Sequence, residues 1–129
     1  MSVSIKTPAD IEGMRRAGRM TAEILDYIGP FVKPGVTTDE LDALCHRFML
    51  DVQKGIAANV NYTPPGHTPF PKSICTSVNH VVCHGIPGDK KLKDGDIINI
   101  DVAMIVDGYF GDTSRMYYVG KPSIAGKRL

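Results

Sequence analysis

Gly95-Asp96-Ile97-Ile98-Asn99-Ile100-Asp101-Val102-Ala103-Met104-Ile105-Val106, then Asp107-Gly108, then Tyr109-Phe110-Gly111-Asp112-Thr113-Ser114 reads as one β-hairpin. The first arm is β-branched and apolar, as a half-buried strand requires. Asp107-Gly108 is the dipeptide that favours a tight type I′ turn, because both central residues of that turn need φ > 0. With those two residues at the tip, Val106 pairs with Tyr109, Asp101 lies opposite Ser114, and Asp112 lies opposite Ala103. Side chains alternate faces with period two, so Asp101 and Asp112 project from one face as diagonal neighbours, about 7–8 Å apart at the backbone. That spacing lets two short carboxylates converge on one or two cations. Ile100, Val102, Met104 and Val106 fill the opposite face and belong in a core. Without a cation, the two acids repel one another. Taken alone, such a pair is more often solvated and incidental on the wet face of an antiparallel sheet.

Upstream, the chain reads as helices. Thr7-Pro8-Ala9-Asp10 offers an N-cap, a proline at the first helical position and an acid in the first turn. Apolar residues recur at Ile11, Met14, Ala17, Ala22, Leu25 and Ile28, an amphipathic pattern ending near Gly29-Pro30. Thr37-Thr38-Asp39-Glu40 is a capping box for a second helix. Its inward stripe is read as Leu41, Leu44, Cys45, Phe48 and Val52, with Gly55 as C-cap. Cys45 on that stripe is a buried apolar residue, and His46, one step off it, is exposed. The expected class is α+β, two amphipathic helices packed on an antiparallel sheet.

Asn61 to Pro71, carrying Pro64, Pro65, Gly66, Pro69 and Pro71, is a loop, and His67 within it reads as solvated. Ser73–Val78 and Val81–Cys83 read as two short strands, with Cys75 facing Cys83 and Cys83 as a small core residue. Asp94 and Asp96 read as turn and strand-start residues.

Composition narrows the function classes. Fifteen basic and 14 acidic residues give a net charge of +1, so no field draws nucleic acid or anionic lipid. Three cysteines, none at zinc-finger spacing, suit a reducing cytoplasm without a disulfide. Neither a signal-peptide core nor an apolar run long enough for a membrane span is present. The 129 residues suffice for one domain with a core.

Several blocks in order resemble the type I methionine aminopeptidases. They are the hairpin itself; Ser4-Ile5-Lys6-Thr7-Pro8 with Glu12-Gly13-Met14-Arg15-Arg16-Ala17-Gly18-Arg19; Val32-Lys33-Pro34-Gly35-Val36-Thr37 with Glu40-Leu41-Asp42; and Pro71-Lys72-Ser73-Ile74-Cys75. The most diagnostic is Asn79-His80-Val81-Val82-Cys83-His84-Gly85-Ile86-Pro87. The resemblance implies the pita-bread fold of two pseudo-symmetric halves, with residues 1–129 as the N-terminal half. It implies two divalent ions per complete site (Mn, Fe, Co or Zn), with Asp112 bridging both and Asp101 chelating one. A histidine and two glutamates from a second half would complete the set, and this chain has no counterpart for them. By the same resemblance Phe70, Tyr62 and Cys75 line the pocket for a methionine side chain. The segment from Thr63 to Pro69 is longer than the family's usual spacing. His84 would be the catalytic histidine that hydrogen-bonds substrate near the scissile amide.

The implied activity is metal-dependent removal of the N-terminal methionine from peptides and nascent proteins, and so by function near the ribosome. The metals would activate water and polarise the scissile carbonyl, with ion selectivity set largely by availability. Met1 followed by small Ser2 would itself be a fitting substrate. Three readings of this half follow: a fragment of the complete enzyme, which is the favoured one, a non-catalytic binding module, and a homodimer bringing four aspartates together. A further alternative is another pita-bread enzyme that cleaves before proline or acts on creatine. An isolated half is expected to expose apolar sheet surface and to be inactive by itself.

Overall fold

The computed structural model describes residues 2–129, so the substrate-like Met1 lies outside the described residues. Helix α1 (Pro8–Ile28) opens with Thr7 as N-cap, and Thr7 and Asp10 satisfy each other's backbone N–H groups in a capping box. It closes into a short 3₁₀ turn at Gly29–Phe31. Helix α2 (Thr38–Arg47) begins with the same device between Thr37 and Glu40. The strands are β1 (Ile56–Ala57), β2 (Ile74–Val78), β3 (Ile97–Val106) and β4 (Tyr109–Tyr118), followed by a short α3 (Ile124–Arg128). Neither β1 nor α3 was expected from the sequence.

β3 is the organising strand. It pairs antiparallel with β4 along its whole length, with Asp101 opposite Ser114 and Ala103 opposite Asp112. On its other side it pairs with β2 (Cys75 opposite Asp101) and, towards the hairpin tip, with β1. Asp107 and Gly108 both have positive φ, 50° and 82°, as a type I′ turn demands. Burial along β3 alternates strictly: Ile98, Ile100, Val102, Met104 and Val106 are buried, and the residues between them are half-buried. α1 packs on this core face across β3 and β4, and α2 packs beside α1 and against β2. The class is therefore α+β, with helices covering one face of an antiparallel sheet. The other face is open, and on β4 it exposes Phe110, Met116 and Tyr118.

Several expectations are corrected. On α1, Ile11 and Met14 are partly exposed, and the core contacts run through Ala17, Thr21, Ile24, Leu25 and Ile28. Thr21 is tolerated there because its hydroxyl donates to the Ala17 carbonyl at 2.7 Å, satisfying the buried polar group. After Arg47 the helix widens into a π turn at Phe48–Val52, where the Gln53 N–H donates to the Phe48 carbonyl at 3.0 Å. The wider turn shifts the phase of the stripe, so Met49 is buried and Val52 is exposed. Gly55 is no left-handed cap: Lys54 takes the positive φ of 57°. A Cβ at Gly55 would meet Met104 Cε at 2.3 Å, so the tip of that methionine would have to shift to admit one. His46 is half-buried rather than exposed, its Nδ1 hydrogen-bonded to Ser73 Oγ.

Val81–Cys83 is not a strand, and Cys83 is exposed rather than in the core. The chain turns through left-handed Asn79 (φ 53°) and His84 (φ 55°). Residues 79–84 therefore cannot run extended beside β2. The segment turns back at the end of β2, where the Val81 N–H donates to the Val78 carbonyl at 3.1 Å, and meets the strand again at Gly85, whose carbonyl accepts the Thr76 N–H at 2.8 Å. Cys75 and Cys83 are both free thiols.

Candidate active site

The open face of the hairpin carries the site. Asp101 on β3 and Asp112 on β4 share that face, as the observed register dictates. Asp101 is half-buried and Asp112 exposed. Burial pushes the Asp101 carboxyl above the usual aspartate range, the negative charge of Asp112 adds to this, and nearby His84 pulls the other way. Two carboxylates crowded in this manner are what a cation between them would relieve.

Cys75 sits opposite Asp101 on β2. Burial first, then the charges of Asp101, Cys83 and Asp112, push its thiol up to about 11. It is a neutral S–H at pH 7 and so a soft, polarizable wall rather than a nucleophile. His84 is exposed, with its backbone in the left-handed region. Histidine visits that region more readily than most residues, and such outliers gather at functional sites. The loop that presents it is held close to β2, where a Cβ on Gly85 would lie 2.1 Å from the Thr76 carbonyl oxygen.

A cleft of about 720 Å³ brings these groups together. Its walls include Asp101, Asp112, Cys75, His84, Phe70 and Tyr62, every residue singled out from the sequence as a site residue. Phe70 is half-buried and Tyr62 is exposed at the rim. The Asn61–Pro71 loop is closed at its base by Asn61 N–H to the Phe70 carbonyl and Phe70 N–H to the Tyr62 carbonyl, each 2.8 Å. His67 is exposed, as a loop histidine should be, yet it also lies on the cleft rim. Sequence reasoning missed Phe110 and Ile86, which line the same cleft. Strand alternation was a signal for Phe110, which is two residues from Asp112 on one face.

Among the described residues, no group of three or more His, Cys, Asp or Glu side chains is arranged to hold a metal ion. Asp101 and Asp112 fit a divalent cation in charge, hardness and convergence. They supply only part of the coordination that a tightly held transition metal needs. A helix long and apolar enough to cross a membrane is also lacking among the described residues.

Comparison with known proteins identifies the family. The profile of metallopeptidase family M24 matches residues 12–129. The chain is 56% identical over 130 residues to a methionine aminopeptidase of Escherichia coli (strain K12), covering 100% of this chain and 47% of that protein. It is 57% identical to one of Rickettsia prowazekii, covering 100% and 48%. The crystal structure of the R. prowazekii methionine aminopeptidase superposes with a TM-score of 0.92, covering 99% of this chain and 49% of that one. An Xaa-Pro dipeptidase from Bacillus anthracis shares the fold, with a TM-score of 0.76 at 24% identity, over 97% of this chain and 32% of that one. The chain thus spans about half the length of the curated relatives it matches. On the match of its profile over residues 12–129, the chain belongs to metallopeptidase family M24.

Proposed function

We propose that residues 1–129 form the N-terminal half of a type I methionine aminopeptidase, which removes the first methionine from peptides and nascent proteins in the cytoplasm. The observation that carries this reading is the shared cleft, which joins the two hairpin aspartates to Cys75, His84, Phe70 and Tyr62. The identity to methionine aminopeptidases supports it over a proline-directed reading, since the Xaa-Pro dipeptidase likeness, at 24% identity, extends to the fold alone.

In this reading Asp101 and Asp112 hold divalent ions, drawn from Mn, Fe, Co or Zn, together with ligands from a second half of the fold. Those ions supply water activation and carbonyl polarisation. The residues of this chain do the remaining work. Phe70, Tyr62 and the neutral Cys75 thiol form an apolar, polarizable seat that suits a thioether side chain. Seating that side chain brings the free amine and first carbonyl of the peptide towards the two carboxylates. The His84 imidazole, exposed on the cleft wall, would hydrogen-bond the scissile amide. Binding in a defined pose converts the attack into an effectively unimolecular event.

The test is cleavage of Met-Ala-Ser by the complete metal-loaded enzyme, in which this half is joined to a second half, followed by mass spectrometry, beside an Ala-Pro-Ser peptide. Release of methionine from the first and none of alanine from the second supports the proposal. The reverse preference would move the chain to the proline-directed branch.

A further inference from the structure

We infer that Asp42, which lies outside the cleft, is the positioning residue that sets the shape of the methionine seat by gripping the start of β2. The inference rests on the reading of Cys75 and Phe70 as walls of that seat. Asp42 stands in the middle of α2 and is only 8% exposed. A carboxylate taken that far out of water needs partners. It has them in the backbone: its Oδ1 accepts the N–H of Ser73 at 2.8 Å and of Ile74 at 3.1 Å. Such charge-assisted bonds are stronger than neutral ones.

The neighbours of Asp42 on α2 extend the grip. His46, one helical turn on and therefore on the same face, is hydrogen-bonded through Nδ1 to Ser73 Oγ. Asp39, nearly one turn back, pairs with Lys72 Nζ at 2.7 Å. From the loop after β1, Asn59 Nδ2 donates to the Ser73 carbonyl at 3.2 Å. Lys72, Ser73 and Ile74 are thus fixed from both sides. The residues flanking this gripped tripeptide are cleft walls, Phe70 and Pro71 before it and Cys75 after it. The Pro-rich loop upstream has no strand to set its direction, so the α2 clamp fixes the separation of the Phe70 and Cys75 walls. Asp42 and His46 do not line the cleft and act on it only through the backbone.

Two measurements test this. In the 129-residue chain, iodoacetamide labelling of its three thiols reports where the fold loosens. Cys83 is exposed and serves as reference, Cys45 is buried in the core and reports general unfolding, and Cys75 reports the seat. Asp42→Ala is expected to raise Cys75 labelling relative to Cys83 by at least fivefold with Cys45 still protected, and Asp42→Asn, which keeps an acceptor oxygen, to restore most of the protection. In the metal-loaded enzyme, Asp42→Ala is expected to raise KM for Met-Ala-Ser on the order of tenfold while kcat and metal content stay near wild type, because the loss is in seating. A wild-type Cys75 to Cys83 ratio in Asp42→Ala overturns the inference, as does a lost kcat with unchanged KM. If Asp42→Ala labels Cys45 as well, the fold has opened and His46→Ala decides: a smaller selective rise at Cys75 supports the clamp, and no rise overturns it. Failure of the wild-type enzyme to release methionine would sink the functional reading instead, and the labelling result would still stand.

Discussion

Asp112 stands opposite Ala103, two residues along from the partner of Asp101, so the two carboxylates crowd one another on the open face of the sheet. In the metal-free protein the cost falls on Asp101, whose carboxyl is pushed above the usual aspartate range by burial and then by Asp112. An acid with a raised folded-state pKa makes the native state bind protons more readily than the unfolded chain. Its unfavourable contribution is therefore absent below the ordinary aspartate range and grows as pH rises through the raised value. Asp101→Asn is expected to raise the melting temperature of the metal-free chain by roughly 2–4 °C at pH 7. The gain should vanish near pH 3, where Asp101 is protonated in both states. Thermal unfolding with a chelator present checks this, and a gain that persists unchanged at low pH would exclude charge crowding as its cause.

The same pair should govern metal. Asp101→Ala or Asp112→Ala in the metal-loaded enzyme is expected to lower bound metal and to reduce turnover by at least a hundredfold, since a ligand is lost outright. Asp94→Ala and Asp96→Ala should leave metal content near wild type. Asp94 is occupied in accepting the Lys121 N–H at 2.7 Å, and Asp96 accepts the Lys93 N–H and an Asn79 side-chain N–H, each at 2.9 Å. Metal analysis after gel filtration separates the two groups. Equal losses for Asp94→Ala and Asp101→Ala would show that the wrong carboxylates had been assigned.

The loop bearing His84 offers a steric test. A Cβ at position 85 would lie 2.1 Å from the Thr76 carbonyl oxygen and 3.1 Å from Ser77 Cα, and both are backbone atoms of a buried strand that cannot easily yield. Gly85→Ala should therefore displace the loop rather than the strand, with a destabilisation of about 1–3 kcal/mol. It should also cost more activity than Gly88→Ala, where an added Cβ meets nothing. Denaturant unfolding gives the stability difference, and peptide cleavage gives the activity. Equal behaviour of the two variants would mean that the close approach at Gly85 does not fix His84.

Physical locality explains which features could be read without coordinates. The hairpin register was legible because two local rules, the Asp107-Gly108 turn and period-two alternation, fix it with no partner far in sequence. The helix starts were legible for the same reason, since Thr7 with Asp10 and Thr37 with Glu40 are self-contained caps. The exchange of Val52 for Met49 was hidden, because one π turn changes the helical phase and leaves the composition of the stripe apolar either way. Val81 and Val82 suggested a strand by propensity. The backbone there follows instead from the left-handed Asn79 and His84 and the tight contact at Gly85. The Asp42 clamp was illegible for a different reason. A carboxylate on a helix looks solvated until the Ser73 and Ile74 amides it accepts, 31 and 32 residues away, are placed beside it.

The last prediction concerns the 129-residue chain on its own. No third carboxylate, imidazole or thiolate joins Asp101 and Asp112 in a metal-holding group among the described residues, and a firmly held transition metal normally has at least about three protein ligands. The open sheet face meanwhile leaves Phe110, Met116 and Tyr118 exposed at 64%, 52% and 51%. An apolar face of this kind favours association with a complementary surface. The chain alone is expected to bind Mn²⁺ or Co²⁺ weakly, with a Kd no tighter than roughly 10⁻⁴ M, and to release no methionine from Met-Ala-Ser. Mixing it with a separately produced second half of a family relative should restore part of the activity and tighten metal binding, because that surface would bring the missing histidine and glutamates. Titration calorimetry and peptide cleavage with and without the second half measure both effects. Robust cleavage by the lone chain as a monomer would show that two aspartates and His84 suffice, whereas activity appearing only with metal-dependent dimers would identify a four-aspartate site shared between two copies.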